Sequence, residues 1–170
     1  MQDTWAWQSH QIGWSLMGDG DLEDPMAVLL IHGFGANTNH WRFNQPVLAE
    51  LAPTYAIDLL GFGRSDQPRA RLKHEPPDDI AVHYGFDLWG QQVADFCLEL
   101  IDKPVILVGN SIGGVVALRA AQLLGSDGCK RVVLIDCAQR LMDDKQLATQ
   151  PAWMGSVSYT HLTLPTIYSV

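Results

Sequence analysis

A glycine-rich segment, residues 109–114, reads Gly-Asn-Ser-Ile-Gly-Gly and contains a serine that could act as a nucleophile. It lies between an apolar run at residues 105–108 and an apolar segment with helical spacing. A serine at a sharp strand-to-helix turn has a strained backbone, and its neighbours must be small for the strand and the helix to approach. Gly109 and Gly113 meet this requirement. The pattern predicts that Ser111 is a nucleophile at the end of a strand.

Two backbone turns could bind the negative oxygen that forms when a serine attacks a carbonyl group. The first N–H groups of a helix have no partner within the helix, so the N–H of Ile112 is one candidate donor. The segment His-Gly-Phe-Gly at residues 32–35 follows another apolar run and can turn toward the same place. We predict that the N–H groups of Phe34 and Ile112 form an oxyanion hole beside Ser111.

Several neighbours of these groups are predicted to support the site rather than to react. We expect a hydrogen bond from His32 to hold the loop that contains Phe34, and Asn110 to shape the turn before the serine. The predicted supporting residues are His32, Gly33, Gly109, Asn110 and Gly113. The alternative for Ser111 is a serine that only caps the following helix.

Apolar runs and segments of helical period alternate along the chain, and they would position these residues. The predicted strands are residues 4–10, 11–17, 27–31, 55–57, 105–108 and 132–135, and the predicted helices are residues 41–51, 86–101 and 112–124. This alternation predicts a mostly parallel sheet with helices on both faces. Parallel strands end at one edge of a sheet, so both candidate turns should meet there.

Length, composition and charge narrow the class of protein. The chain has 170 residues, 47% of them hydrophobic, which suits one globular domain. A formal charge of −8 with scattered basic residues argues against a nucleic-acid partner. Three cysteines at no metal-ligand spacing predict neither a disulfide framework nor a metal site, and no dinucleotide motif is complete.

We expect a cytoplasmic protein with a small-molecule substrate, no cofactor and no membrane span. The oligomeric state stays open.

Three motifs together resemble the α/β-hydrolase superfamily: HGFG at residues 32–35, DLLGFGRSD at residues 58–66 and GNSIGG at residues 109–114. The resemblance extends from Trp7 to about Gln139. It implies attack of Ser111 on a carbonyl carbon, an acyl-enzyme intermediate, and release by water that a histidine activates. A serine at this turn is unlike the epoxide hydrolases and haloalkane dehalogenases of the superfamily. The amino-acid sequence of this turn, Asn-Ser-Ile-Gly-Gly, is similar to that of carbon–carbon bond hydrolases and of chlorophyll-dephytylating and pheophytin-hydrolysing esterases.

The end of the chain differs from the rest. In the superfamily the acid and the histidine follow later strands, so we expect residues 1–155 to be the amino-terminal part of one α/β-hydrolase domain, truncated after about the sixth strand. Residues 156–170 resemble translated adapter sequence and are predicted to be a non-native tail. Asp136 is an alternative acid, and His161 is the only histidine after Ser111.

The sequence thus predicts a serine hydrolase that cleaves a carboxylic ester or a similarly activated carbonyl. This chain itself is expected to be inactive because it lacks the catalytic histidine and acid. The alternatives are a non-catalytic receptor or scaffold with the same fold, and a carbon–carbon bond hydrolase.

Overall fold

A computed structural model of the chain describes residues 1–18, 25–71, 75 and 81–137, all within one compact unit, Met1–Ala138. Six strands form one sheet in the order β1-β2-β4-β3-β5-β6. They are β1 (Gln2–Trp7), β2 (His10–Met17), β3 (Ala27–Ile31), β4 (Thr54–Ile57), β5 (Val105–Asn110) and β6 (Cys129–Ile135). The β1–β2 and β2–β4 pairs are antiparallel, and the pairs among β4, β3, β5 and β6 are parallel. The predicted mostly parallel sheet is confirmed.

Both faces of the sheet are covered, which explains why β3 is buried at all five positions. Side chains alternate between the faces of a strand, so Leu29 and Ile31 join one apolar cluster while Val28 and Leu30 join another. The first cluster includes residues of α2 (Phe86–Phe96) and α3 (Ile112–Gly128), and the second includes Trp41 from the segment before β4. Parallel strands covered on both faces are typical of α/β folds.

The predicted helix at residues 41–51 is wrong in extent. A 3-10 turn at Thr38–Trp41 is followed by a single short helix, α1 (Gln45–Leu48). Pro46 lies in the first turn of α1, where its missing N–H costs nothing, but a helix continuing from Trp41 would need that N–H. Apolar spacing alone did not show this interruption.

The other two helices agree with prediction over most of their lengths. The chain continues from α2 as a π-helical turn, Cys97–Ile101, so the predicted range 86–101 is helical throughout. The helix α3 was expected to end at residue 124 and instead extends past a kink at Gly125, where φ is 66°. None of the helices in the described ranges has the length and hydropathy that a membrane span needs.

The predicted tail at residues 156–170, which includes His161, lies outside the described residues. The division of the chain into residues 1–155 and a tail stays a prediction.

Candidate active site

Ser111 lies at the carboxyl end of β5, a central strand of the sheet, directly before α3. Its φ of 54° and ψ of −121° are unusual for a residue with a side chain. The Ser111 N–H donates a hydrogen bond to the Ile135 carbonyl at 3.0 Å, and the Asn110 side-chain amide donates to the same oxygen at 3.3 Å. The strained turn is therefore tied to the end of β6.

The glycines on either side of Ser111 allow three backbone segments to approach each other. A Cβ atom on Gly109 would overlap the Gly113 carbonyl, so β5 and the first turn of α3 leave no room for a side chain. A Cβ atom on Gly113 would overlap the carbonyl oxygens of Ile31 and His32. The first turn of α3 thus packs directly on the end of β3.

The turn at residues 32–35 meets Ser111 at this edge of the sheet. A Cβ atom on Gly33 would lie 3.2 Å from the Cβ atom of Ser111 and 3.1 Å from Oδ1 of Asn110. Phe34 follows Gly33, and Ile112 follows Ser111, so both predicted oxyanion donors belong to the two turns that meet here. The oxyanion hole itself stays a prediction.

His32 is fully buried and uses both ring nitrogens. The N–H of Leu59 donates to its Nε2 atom at 3.0 Å, so Nε2 carries no proton and Nδ1 is the protonated nitrogen. Nδ1 then donates to the Gly33 carbonyl at 2.7 Å. In a planar trans peptide the C=O and N–H groups point in opposite directions, so this bond also sets the direction of the Phe34 N–H. These contacts leave no ring nitrogen of His32 for proton transfer.

The pKa of His32 is lowered from its ordinary value of 6.5, first because burial disfavours the charged imidazolium. The hydrogen bond to Gly33 and the negative charge of Asp58 act in the opposite direction, and His40 lowers the pKa further. The ring is therefore neutral at pH 7, as its role as an acceptor for the Leu59 N–H requires.

This lowered pKa predicts a loss of stability in mild acid. The unfolded chain binds the proton more readily than the folded protein once the pH falls below 6.5. The contribution of neutral His32 is fully present above that pH and is lost as the pH falls toward the folded pKa. Denaturant unfolding of the wild type and His32→Gln between about pH 8 and about pH 5 measures it. The stability advantage of the wild type should shrink with falling pH, and an advantage that grows would contradict the prediction.

Asp58 is the buried carboxylate that connects the two loops around the site. One oxygen accepts the Thr38 N–H at 2.6 Å, and the other accepts the Arg64 N–H at 2.9 Å. Asp58 thus holds the loop that contains Arg64 and links it to Thr38, which follows the turn at residues 32–35. This carboxylate has two backbone donors as partners, which offsets the cost of its burial.

Gln92, a fully buried residue of α2, is a member of the site that was not predicted from the sequence. Its side chain accepts a hydrogen bond from the Leu60 N–H at 3.0 Å and donates one to the Asp58 carbonyl at 3.2 Å. The available signal was a polar residue within the apolar stripe formed by Trp89, Val93 and Phe96.

Asp136 and the large aromatic residues near the site have different surroundings. Asp136 follows β6 in a left-handed conformation, with φ of 44°, and is exposed. Trp41 and Trp89 are core residues, while the side chains of Phe34 and Phe43 are exposed. Among the described residues no three His, Cys, Asp or Glu side chains are grouped as metal ligands would be.

Comparison with protein families gives a match over most of the chain. The model of the family described as alpha/beta hydrolase fold matches residues 26–166.

Curated relatives include enzymes whose names refer to acyl lipids. The chain is 27% identical over 148 residues to a (lyso)-N-acylphosphatidylethanolamine lipase of Bos taurus, covering 85% of this chain and 41% of the relative. It is 35% identical over 104 residues to the 1-acylglycerol-3-phosphate O-acyltransferase ABHD5 of Rattus norvegicus, covering 61% of this chain and 27% of the relative. The chain therefore spans less than half the length of either.

Solved structures agree with the fold. A bacterial membrane phospholipase A superposes with a TM-score of 0.67 at 28% identity, covering 84% of this chain and 41% of that protein. A meta-cleavage product hydrolase, CumD, superposes with a TM-score of 0.65 at 25% identity, covering 83% and 47% respectively.

Proposed function

This chain belongs to the α/β-hydrolase fold family, and we propose that it carries the nucleophile and the oxyanion hole of a serine hydrolase. The observation that supports this most directly is the strained turn at Ser111, packed against the turn that contains Gly33. A serine that only caps a helix needs neither a positive φ nor a second turn against its side chain.

In the proposed reaction, the Ser111 hydroxyl attacks the carbonyl carbon of a carboxylic ester. The N–H groups of Phe34 and Ile112 bind the resulting oxyanion, the alcohol leaves, and water then releases the acid from the acyl-enzyme. Because both nitrogens of His32 are engaged, the general base is another histidine. We place this histidine and its partner acid in the complete protein, outside the residues described here.

The substrate class is proposed from the relatives. Two of them are named for reactions on acyl lipids, and a third relative of known structure is a phospholipase A. Acyl esters are therefore the first substrates to test, beginning with p-nitrophenyl esters of increasing chain length.

Covalent labelling of the protein from the complete open reading frame tests the nucleophile. A fluorophosphonate reacts only with a serine that a base activates, so we expect one label per protein, on the peptide that contains Ser111. Esterase activity should fall in proportion to labelling. A label on a different serine would refute the assignment. Absence of both labelling and turnover would favour the non-catalytic scaffold instead.

A carbon–carbon bond hydrolase is the second candidate, supported by the structural similarity to CumD. The same protein preparation can be offered a vinylogous 1,5-diketone of the meta-cleavage type. Cleavage of this compound at a higher kcat/KM than that of the esters would favour the second candidate.

A further inference from the structure

We propose that Gln92 is a positioning residue that sets the direction of the Phe34 N–H through a chain of hydrogen bonds. The inference rests on the proposed function, because it assigns that N–H to the oxyanion. Gln92 itself touches neither the substrate nor Ser111 in this proposal.

The segment at residues 58–60 continues beyond β4, where side chains satisfy its backbone groups. The Asp58 carbonyl accepts hydrogen bonds from the Ser65 hydroxyl at 2.6 Å and from Nε2 of Gln92 at 3.2 Å. The Leu60 N–H donates to Oε1 of Gln92 at 3.0 Å. The amide of Gln92 thus pairs with the C=O of one residue and the N–H of the residue two positions later. A neighbouring parallel strand pairs with backbone in the same way.

This pairing controls the direction of one peptide plane. The Asp58 carbonyl and the Leu59 N–H belong to the same trans peptide and point in opposite directions. Because Gln92 and Ser65 both bind the carbonyl on one side, the N–H points to the other side, where Nε2 of His32 accepts it at 3.0 Å.

The same logic then repeats at the oxyanion turn. Nδ1 of His32 donates to the Gly33 carbonyl at 2.7 Å, and the opposite side of that peptide carries the Phe34 N–H. Every hydrogen bond in this series is donated in the same direction. The series begins at the Leu60 N–H and runs through Gln92, the Asp58–Leu59 peptide and His32 to the Gly33–Phe34 peptide. Hydrogen bonds aligned in this manner polarise one another, so the chain both orients the Phe34 N–H and strengthens it as a donor.

The variant Gln92→Met, made in the complete protein, tests this series of hydrogen bonds. Methionine has a shape similar to that of glutamine but cannot form either of the two hydrogen bonds of the Gln92 side chain. Loss of an oxyanion donor costs about 10²- to 10³-fold in kcat. For misalignment of a retained donor we expect about a tenfold fall in kcat with little change in KM. The matched control is Gln91→Met, since Gln91 is the exposed neighbour on α2 and its side chain donates a hydrogen bond to Asp95. It should leave kcat unchanged.

The variant Gln92→Glu adds a readout that a purely structural role would not move. An ionised glutamate cannot donate to the Asp58 carbonyl, whereas its protonated form can. Burial favours the protonated form, so activity relative to the wild type should rise as the pH is lowered. A ratio that is flat or falls with decreasing pH would overturn the proposal.

The ¹⁵N chemical shifts of His32 give a readout that does not depend on turnover. In the wild type we expect a neutral ring with the proton on Nδ1, and in Gln92→Met a mixture of the two neutral tautomers. An unchanged tautomer together with an unchanged kcat in Gln92→Met would refute the role of Gln92. If the wild type has no turnover, the proposed function is wrong, and the tautomer alone decides whether Gln92 positions His32.

Discussion

Replacement of Ser111 with alanine is expected to reduce the ester turnover of the complete protein by at least about 10⁴-fold, while the protein still folds. Alanine removes the attacking oxygen, and the oxyanion donors alone give only weak catalysis. Steady-state hydrolysis of p-nitrophenyl butyrate measures the loss. Ser126→Ala is the control, because Ser126 is an exposed residue on the last part of α3. Equal turnover of Ser111→Ala and the wild type would refute the assignment of Ser111 as the nucleophile.

The same position should show a conflict between stability and activity. At φ of 54° and ψ of −121° a residue with a side chain has a strained backbone, and this strain lowers the stability of the folded protein. Glycine adopts these angles with less strain because it has no Cβ atom. We therefore expect Ser111→Gly to raise the free energy of unfolding by about 1 kcal/mol over Ser111→Ala, and both variants to be inactive. Denaturant unfolding of the two variants measures this difference. A glycine variant less stable than the alanine variant would show that the turn carries no strain.

The turn around Ser111 could be predicted from the sequence because its requirements are local. The serine, the glycines at residues 109 and 113, the apolar run before them and the helical spacing after them all lie within about 25 residues. The meeting of this turn with residues 32–35 followed from a general property of parallel sheets, whose strands end at a common edge. Those two features position the candidate site.

The hydrogen bonds that hold the loops around the site could not be predicted, because they join residues that are distant in sequence. Gln92 binds the backbone of residues 58 and 60, which are 34 and 32 positions away. Helical spacing places Gln92, and not Gln91, on the apolar face of α2 with Trp89 and Val93. Spacing and composition carry no information on which distant backbone groups a buried glutamine binds, so the contacts of Gln92 with residues 58 and 60 became visible only in the structure.

Replacement of Gly113 with alanine is expected to destabilise the protein by about 3 kcal/mol or more, even though alanine favours a helix over glycine by about 1 kcal/mol. The new Cβ atom would overlap the carbonyl oxygens of Ile31 and His32. Backbone atoms at the end of a central strand cannot move aside as a flexible side chain can, so α3 must shift away from the turn at residues 32–35. We expect turnover to be lost along with stability.

Gly114→Ala separates this clash from the general effect of adding a methyl group to the first turn of α3. A Cβ atom on Gly114 would lie 2.8 Å from Sγ and 3.2 Å from Cβ of Cys137, and 3.3 Å from Cδ2 of Leu134. The 2.8 Å contact is with an atom that can move by rotation of the Cys137 side chain, and no backbone atom is among the three. We therefore expect a loss of stability below about 1 kcal/mol, partly offset by the helix preference of alanine. Thermal and denaturant unfolding of both variants, side by side, measure the difference. Similar stabilities for the two would mean that α3 does not pack on the backbone of β3 as closely as described, and that the two turns at Ser111 are held together by other contacts.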